Sequence, residues 1–219
     1  MDTVFGEQRV KALRAKGVIA VMVIDDANDA VPVARTLIEG GVTAMELTLR
    51  TPAAMDALAR IIAEVPEMQA GVGTILTPEQ VGQVKASKAD FGVSPGLNRR
   101  VVEAAIAAGL PFAPGFSTAS EIEAAVELGC RVLKFFPAEN MGGLKYLDSV
   151  NSPYGFLGLG YIPLGGLNAQ NLAAWLEKDY ILAVGGSWIA PRNLIAKKDW
   201  AGIRANASQA MKIFREVRG

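Results

Sequence analysis

Histidine is missing from all 219 residues, and that absence excludes more than any other feature of the composition. Without an imidazole there is no Ser–His or Cys–His nucleophile pair and no histidine-held metal. Acid–base chemistry is left to Glu, Asp, Lys and Tyr. Cysteine is almost as scarce. Cys130 stands alone, so no intrachain disulfide forms and nothing points to an oxidising compartment. An excess of either charge is also lacking, with Lys+Arg 22 against Asp+Glu 22. A nucleic-acid or anionic-membrane surface is therefore not expected. The basic residues near the end (Lys197, Lys198, Arg204, Lys212, Arg215, Arg218) are interrupted by acids and read as a solvated helix face. Long hydrophobic runs are absent too: the N-terminal region has no signal-like apolar core, and Val18 to Ile24 is too short to cross a bilayer. The expectation is a cytoplasmic protein with neither a nucleic-acid nor a membrane partner.

What is present is material for a large core, since hydrophobic residues make up 51% of the chain. Short apolar, β-rich runs begin near Val18, Thr43, Gln69, Asp90, Leu110, Arg131, Leu159 and Tyr180, roughly 20 to 28 residues apart. That spacing accommodates one strand and one helix. Alanine-rich segments of helical composition fill the intervals: Asp29–Glu39, Pro52–Glu64, Pro78–Ala86, Arg99–Ala108, Ser120–Leu128 and Ala169–Glu177. Thr77-Pro78-Glu79-Gln80 offers an N-cap, an N1 proline and a capping-box glutamine, Thr118 with Glu121 forms a second box, and Asn168 supplies a third cap. Gly40-Gly41, Gly109 and Gly129 stand where left-handed C-caps are expected, and a last helix is expected from about Asp199 to Arg215. The pattern predicts an α/β protein of one domain, residues 1–219, folded as a (β/α)8 TIM barrel (18–219) with an N-terminal helix (1–17). An open doubly wound sheet is the alternative. In a barrel the reactive end is the one where strands run into the βα loops.

The sixth run, Cys130-Arg131-Val132-Leu133-Lys134-Phe135-Phe136-Pro137, reads as a strand buried on both faces. An unpartnered ammonium in such a strand is costly. Either it snorkels outward or pairs with a carboxylate, or the amine sheds its proton and becomes a nucleophile able to form a Schiff base. In the second run Glu46, Thr48 and Arg50 share one face while Met45, Leu47 and Leu49 share the other. In a barrel the first set turns inward and converges with Lys134. A self-neutralising Glu46–Arg50 pair would explain the second run alone, but three charges from two strands exceed what stability asks for. The third run ends Gly71-Val72-Gly73-Thr74 and the fourth Ser94-Pro95-Gly96. Gly165-Gly166 follows the seventh run and Gly185-Gly186-Ser187-Trp188 the eighth, the positions where such barrels commonly bind phosphate.

In these motifs, taken in order and across nearly the whole chain, the sequence resembles the 2-keto-3-deoxy-6-phosphogluconate (KDPG) aldolases and their close relatives, the 4-hydroxy-2-oxoglutarate aldolases. The motifs are Glu46-Leu-Thr-Leu-Arg50, Gly71-Val-Gly-Thr74, Ser94-Pro-Gly96, Lys134-Phe-Phe-Pro-Ala138, Gly165-Gly166 and Gly185-Gly-Ser-Trp188. The resemblance implies a metal-independent class I aldolase that needs no cofactor, a homotrimer of barrels that cleaves a phosphorylated 2-keto-3-deoxy sugar acid to pyruvate and glyceraldehyde 3-phosphate. It implies Lys134 as the Schiff-base lysine and Glu46 as the general acid/base. Arg50 and Thr74 would hold the pyruvate carboxylate, Pro95 and Phe136 would line its pocket, and Gly165, Gly166, Gly186 and Ser187 would bind phosphate. Two departures stand out. Leu164 replaces a threonine associated with the substrate's C4 hydroxyl, as in relatives acting on the galactonate epimer, and Val23 stands where many members carry an arginine. The galactonate-derived epimer and 4-hydroxy-2-oxoglutarate are therefore alternative substrates. A phosphate-binding isomerase or epimerase with Glu46 as base would explain the glycine pairs, but not a lysine between Leu133 and Phe135. A binding protein without activity would leave the converging charges without a purpose.

Overall fold

Gly17, in the left-handed region at φ 67°, ends the first helix (α1, Glu7–Lys16) and turns the chain directly into the first strand (β1, Val18–Met22). No side chain fits there. A Cβ on Gly17 would lie 2.0 Å from the Phe214 ring of the last helix. This is a computed structural model, and it describes residues 4–219. Of the helix expected over 1–17, residues 1–3 lie outside the described residues.

From β1 onward strands and helices alternate. The strands are β2 (Ala44–Thr48), β3 (Gln69–Gly73), β4 (Phe91–Val93), β5 (Phe112–Ala113), β6 (Gly115–Phe116), β7 (Val132–Phe135), β8 (Gly160–Pro163) and β9 (Val184–Gly186). The helices are α2 (Ala30–Glu39), α3 (Ala54–Glu64), α4 (Pro78–Ala86), α5 (Arg99–Ala108), α6 (Ala119–Glu127), α7 (Gly143–Asn151), α8 (Leu172–Leu176), α9 (Arg192–Ala196) and α10 (Trp200–Arg218). All strand pairings are parallel, in the orders β5-β4-β3-β2-β1-β9 and β6-β7-β8.

Among the described residues these nine segments make eight barrel strands, because β5 and β6 are one strand interrupted by Pro114. Proline has no N–H for the ladder, yet its carbonyl still accepts from the Lys134 N–H at 2.9 Å. The half before Pro114 pairs with β4 and the half after it with β7. The ring closes where Tyr161 of β8 exchanges backbone hydrogen bonds with Tyr180 and Leu182 (2.8 and 2.9 Å) and β9 pairs with β1. That closure separates the barrel from the open-sheet alternative.

Alternation along the strands then sorts side chains into two apolar clusters. Met45, Leu47, Leu133 and Phe135 pack outward with the helices. Ile19, Ala44, Val93, Val132 and Ile162 fill the barrel's interior, joined at its floor by Phe5 and by Leu13 of α1. Phe5 and Phe91 have ring centroids 5.9 Å apart. With the lower interior packed by hydrocarbon, the inward polar residues are left at the upper end.

Helix starts with side-chain caps behave as expected. Thr77 and Gln80 form a complete capping box on α4, and Thr118 and Glu121 another on α6. Glu121 Oε2 accepts from Ser117 N (2.8 Å) and Thr118 N (2.9 Å). Burial opposes the charge on this carboxyl, but the hydrogen bonds from Ser117 and Thr118 outweigh it and hold its pKa below the usual value. A depressed folded-state pKa stabilises the fold above the ordinary carboxylate range, and the contribution is lost as pH falls through the folded value. Glu121→Ala is therefore expected to cost about 1 kcal/mol at neutral pH, the usual worth of a cap. Denaturant unfolding should show that cost shrinking in acid; an equal cost at every pH would contradict the assignment.

Elsewhere the helices depart from expectation. Asn168 does not cap α8: its side chain accepts from Gln170 N at 2.9 Å, forming a turn, and α8 begins only at Leu172. Gly40 has φ −80°, whereas Gly41, Gly109 and Gly129 take the left-handed conformation. The (β/α)8 pattern calls for a helix where α7 lies, but no alanine-rich segment marks its span, and nothing in the sequence marks α9. α7 starts at Gly142-Gly143 with no side-chain cap, and α9 is only five residues long. Among the described residues no helix is long and apolar enough to cross a membrane.

Candidate active site

β2 and β7 carry their charged residues to the same height inside the barrel. Lys134 Nζ lies 2.8 Å from Glu46 Oε1 and 3.2 Å from Oε2, joining positions 88 apart in the chain. Both are nearly fully buried, Lys134 at 4% and Glu46 at 2% exposure. Pairing with a carboxylate is thus how the lysine is accommodated. A buried ion pair of this kind is weak evidence for stability, since desolvating two charges offsets much of their attraction. It does place a proton between an amine and a carboxylate, and its transfer to Glu46 leaves Lys134 a free nucleophile. The Phe136 ring centroid is 5.6 Å from Nζ and screens it from water on one side.

The carboxylate has room only because β3 passes beside it without a side chain. A Cβ on Gly73 would sit 1.8 Å from Glu46 Oε1. The next residue, Thr74, has φ 63°, a left-handed conformation that few non-glycine residues adopt. Such strain costs on the order of 1–3 kcal/mol and concentrates at functional sites.

Around the pair is a cavity of about 190 Å³ lined by Glu46, Arg50, Thr74, Pro95, Lys134, Phe136, Leu164, Gly165 and Ser187, all singled out from the sequence. Gly166 and Gly186, also singled out, are not among its lining residues. Gly166 is exposed with φ 81°, and Gly186 is buried with its missing Cβ position occupied by the Trp188 indole, 2.5 Å away. Val21, Thr48 and Gly185 complete the lining; the strand period already sets Thr48 on the inward face and the second glycine pair includes Gly185, whereas nothing in the sequence marks Val21. Thr48 Oγ1 donates to Met22 O (3.0 Å) and accepts from Arg50 Nε (3.1 Å), so it fixes the guanidinium and leaves the terminal nitrogens for an anion. A Cβ on Gly185 would meet Leu164 Cγ at 2.5 Å, so the glycine admits the leucine. The i, i+2 spacing of Glu46, Thr48 and Arg50 was the signal that could have given Thr48 this role.

The walls are tied to one another. Ser94 Oγ donates to Gly96 O (2.7 Å) and accepts from Gly115 N (3.4 Å), holding the turn that presents Pro95. Ala138 N donates to Leu164 O (2.7 Å) and Glu139 N to Gly165 O (3.0 Å), so the segment after Lys134 is stitched to the glycine loop. Trp175 Nε1 anchors the same segment through Glu139 Oε1 at 2.8 Å. Among the described residues no three His, Cys, Asp or Glu side chains gather as a metal set would. A wider cavity of about 580 Å³, bordered by Lys11, Arg14, Val132, Gly160 and Tyr180, opens at the opposite mouth. There the strands begin, the end associated with stability rather than reaction in these barrels.

An amine beside a carboxylate, an arginine held by its Nε, and a wall of glycines at the strand ends together suit covalent chemistry on an anionic carbonyl compound. Comparison with known proteins agrees. The family model described as KDPG and KHG aldolase matches residues 10–206. The 2-dehydro-3-deoxy-phosphogluconate aldolase of Treponema pallidum is 42% identical over 203 residues, which are 93% of this chain and 96% of that protein. A crystal structure of the KDPG aldolase of Legionella pneumophila, holding pyruvate as a covalent carbinolamine, superposes with a TM-score of 0.87 at 35% identity, covering 92% of this chain and 96% of that one. The Zymomonas mobilis enzyme with 3-phosphoglycerate superposes with a TM-score of 0.85 at 37% identity, covering 94% and 96%.

Proposed function

The chain belongs to the KDPG and KHG aldolase family, and from that premise we propose how its residues carry out the reaction. It is a class I carbon–carbon lyase that cleaves 2-keto-3-deoxy-6-phosphogluconate to pyruvate and glyceraldehyde 3-phosphate. The observation that carries the reading is the contact between Lys134 Nζ and Glu46 Oε1, 2.8 Å, inside a cavity at the strands' C-terminal ends.

Glu46 takes a proton from Lys134, and the freed amine adds to the C2 ketone. Glu46 then returns a proton to the carbinolamine oxygen, water leaves, and an iminium remains. The iminium draws electrons as the C3–C4 bond breaks. Glu46 accepts the C4 hydroxyl proton while the aldehyde departs, and delivers a proton to C3 of the enamine. Hydrolysis of the resulting imine releases pyruvate and regenerates the amine. Arg50 and Thr74 hold the carboxylate, which fixes the plane of the imine. Pro95 and Phe136 pack against the pyruvate methyl end, and the backbone N–H groups of Gly165, Gly166 and Gly186 with the Ser187 hydroxyl receive the phosphate. The functional unit is one barrel domain, assembled as a homotrimer in the cytoplasm. An isomerase using Glu46 alone has no use for the buried lysine.

Leu164 bears on the choice of epimer. It is 4% exposed, lines the cavity and offers no hydrogen bond to a C4 hydroxyl of either configuration. An apolar wall discriminates hydroxyl placement poorly, by less than about 100-fold. Side-by-side assays with the gluconate- and galactonate-derived phosphates should therefore give kcat/KM values within that range, with 4-hydroxy-2-oxoglutarate as a third substrate. No cleavage of any of the three would overturn the reading. Strict selection of one epimer would remove the role given to Leu164.

A further inference from the structure

Beside the Lys134 cavity lies another of about 340 Å³, and the two share Val21, Arg50 and Ser187 along their common wall. Its far side is built by Val23, Trp188 and Arg192. Arg192 is the first residue of α9, delivered by the loop that leaves β9. Its guanidinium grips Asp25, beyond the end of β1, through Nε to Oδ2 at 2.7 Å and Nη2 to Oδ1 at 2.6 Å. The side chains are 61% and 49% exposed, so this bridge contributes little to stability.

The substrate's charge gives the pair a purpose. A phosphorylated 2-keto acid carries one carboxylate charge and about −1.5 to −2 on its phosphate. Among the described residues three cations line the two cavities: Arg50, Lys134 and Arg192. Lys134 is committed to Glu46 and to the ketone, and Arg50 to the carboxylate. The glycine loops and Ser187 offer the phosphate only neutral donors. Val23 is apolar, so β1 supplies no cation at that end.

Resting on the aldolase reading above, we propose that Arg192 is a substrate-binding residue that leaves Asp25 to close on the phosphate, and so makes the enzyme favour phosphorylated over unphosphorylated substrates. Asp25 parks the guanidinium at the rim of the empty site. A phosphate displaces it because it brings more charge than a carboxylate and more acceptor oxygens to the same fork.

The test compares Arg192→Ala with Asp25→Ala, since each breaks the bridge but only the first removes the cation. Arg192→Ala is expected to raise KM for 2-keto-3-deoxy-6-phosphogluconate about tenfold, the worth of one charge-assisted hydrogen bond. It should leave kcat within about twofold and weaken competitive inhibition by inorganic phosphate. The half-saturation for pyruvate in borohydride trapping, which involves no phosphate, should stay unchanged. Asp25→Ala should leave KM for the phosphorylated substrate unchanged or lower it. The proposal is overturned if Arg192→Ala changes neither KM nor phosphate inhibition, if it weakens pyruvate saturation equally, or if Asp25→Ala reproduces it. A native enzyme that neither cleaves the substrate nor traps pyruvate would instead overturn the aldolase reading.

Discussion

Lys134→Arg is expected to abolish cleavage while leaving the fold intact. Arginine keeps the positive charge opposite Glu46, so the buried carboxylate retains a partner. It cannot supply a free amine, because a guanidinium does not lose its proton in proteins. The expected fall in kcat is on the order of 10⁶-fold, as when the nucleophile of a covalent enzyme is removed. A coupled assay for pyruvate release reads this directly, alongside thermal unfolding to show that the protein is folded. Lys134→Met would be the poorer experiment. It strands a carboxylate that is 2% exposed, and breaking such a pair costs about 3–5 kcal/mol of stability. Measurable turnover by a folded Lys134→Arg enzyme would refute the covalent role.

The second large effect belongs to Glu46. In Glu46→Gln the amide oxygen still accepts from Lys134, but it can neither store nor return a proton. The mechanism routes several proton transfers through this one carboxylate, so kcat is expected to fall by roughly 10²–10⁴-fold, the usual worth of general acid–base catalysis. KM should move little, because Arg50, Thr74 and the glycine loops are untouched. Pyruvate should still be trapped on the lysine, more slowly, which separates this variant from Lys134→Arg. Gly73→Ala tests the same point from outside. Its methyl group would stand 1.8 Å from Oε1, so the carboxylate must shift although its chemistry is intact. An intermediate loss of kcat is expected, and native kcat in both variants would remove Glu46 from the proton path.

Much of this was legible in the sequence because it depends on local periodicity. The strand–helix alternation, the capping boxes at Thr77 and Thr118, and the spans of α4 and α5 all follow from side-chain pattern and hydrogen-bonding residues within a few positions of one another. The inward set of Glu46 and Thr48 follows from the two-residue period of a strand. What was not legible depends on neighbours distant in the chain. Pro114 interrupts a strand, and which neighbour each half joins, β4 before it and β7 after it, is set by strands far away in the chain. α7 begins on glycines, with packing in place of propensity, and Tyr146 from it stacks on Phe135 at 6.0 Å. Gly73 makes room for a carboxylate 27 positions earlier, and Arg192 meets Asp25 only because the barrel closes. No window of sequence contains either relation.

The most direct measurement is mass spectrometry of the protein after borohydride reduction in the presence of pyruvate. A Schiff base on Lys134 would leave a single reduced pyruvate on the peptide that carries this lysine, and none in Lys134→Arg. An unmodified Lys134 peptide, or an adduct on a different lysine, would contradict the account.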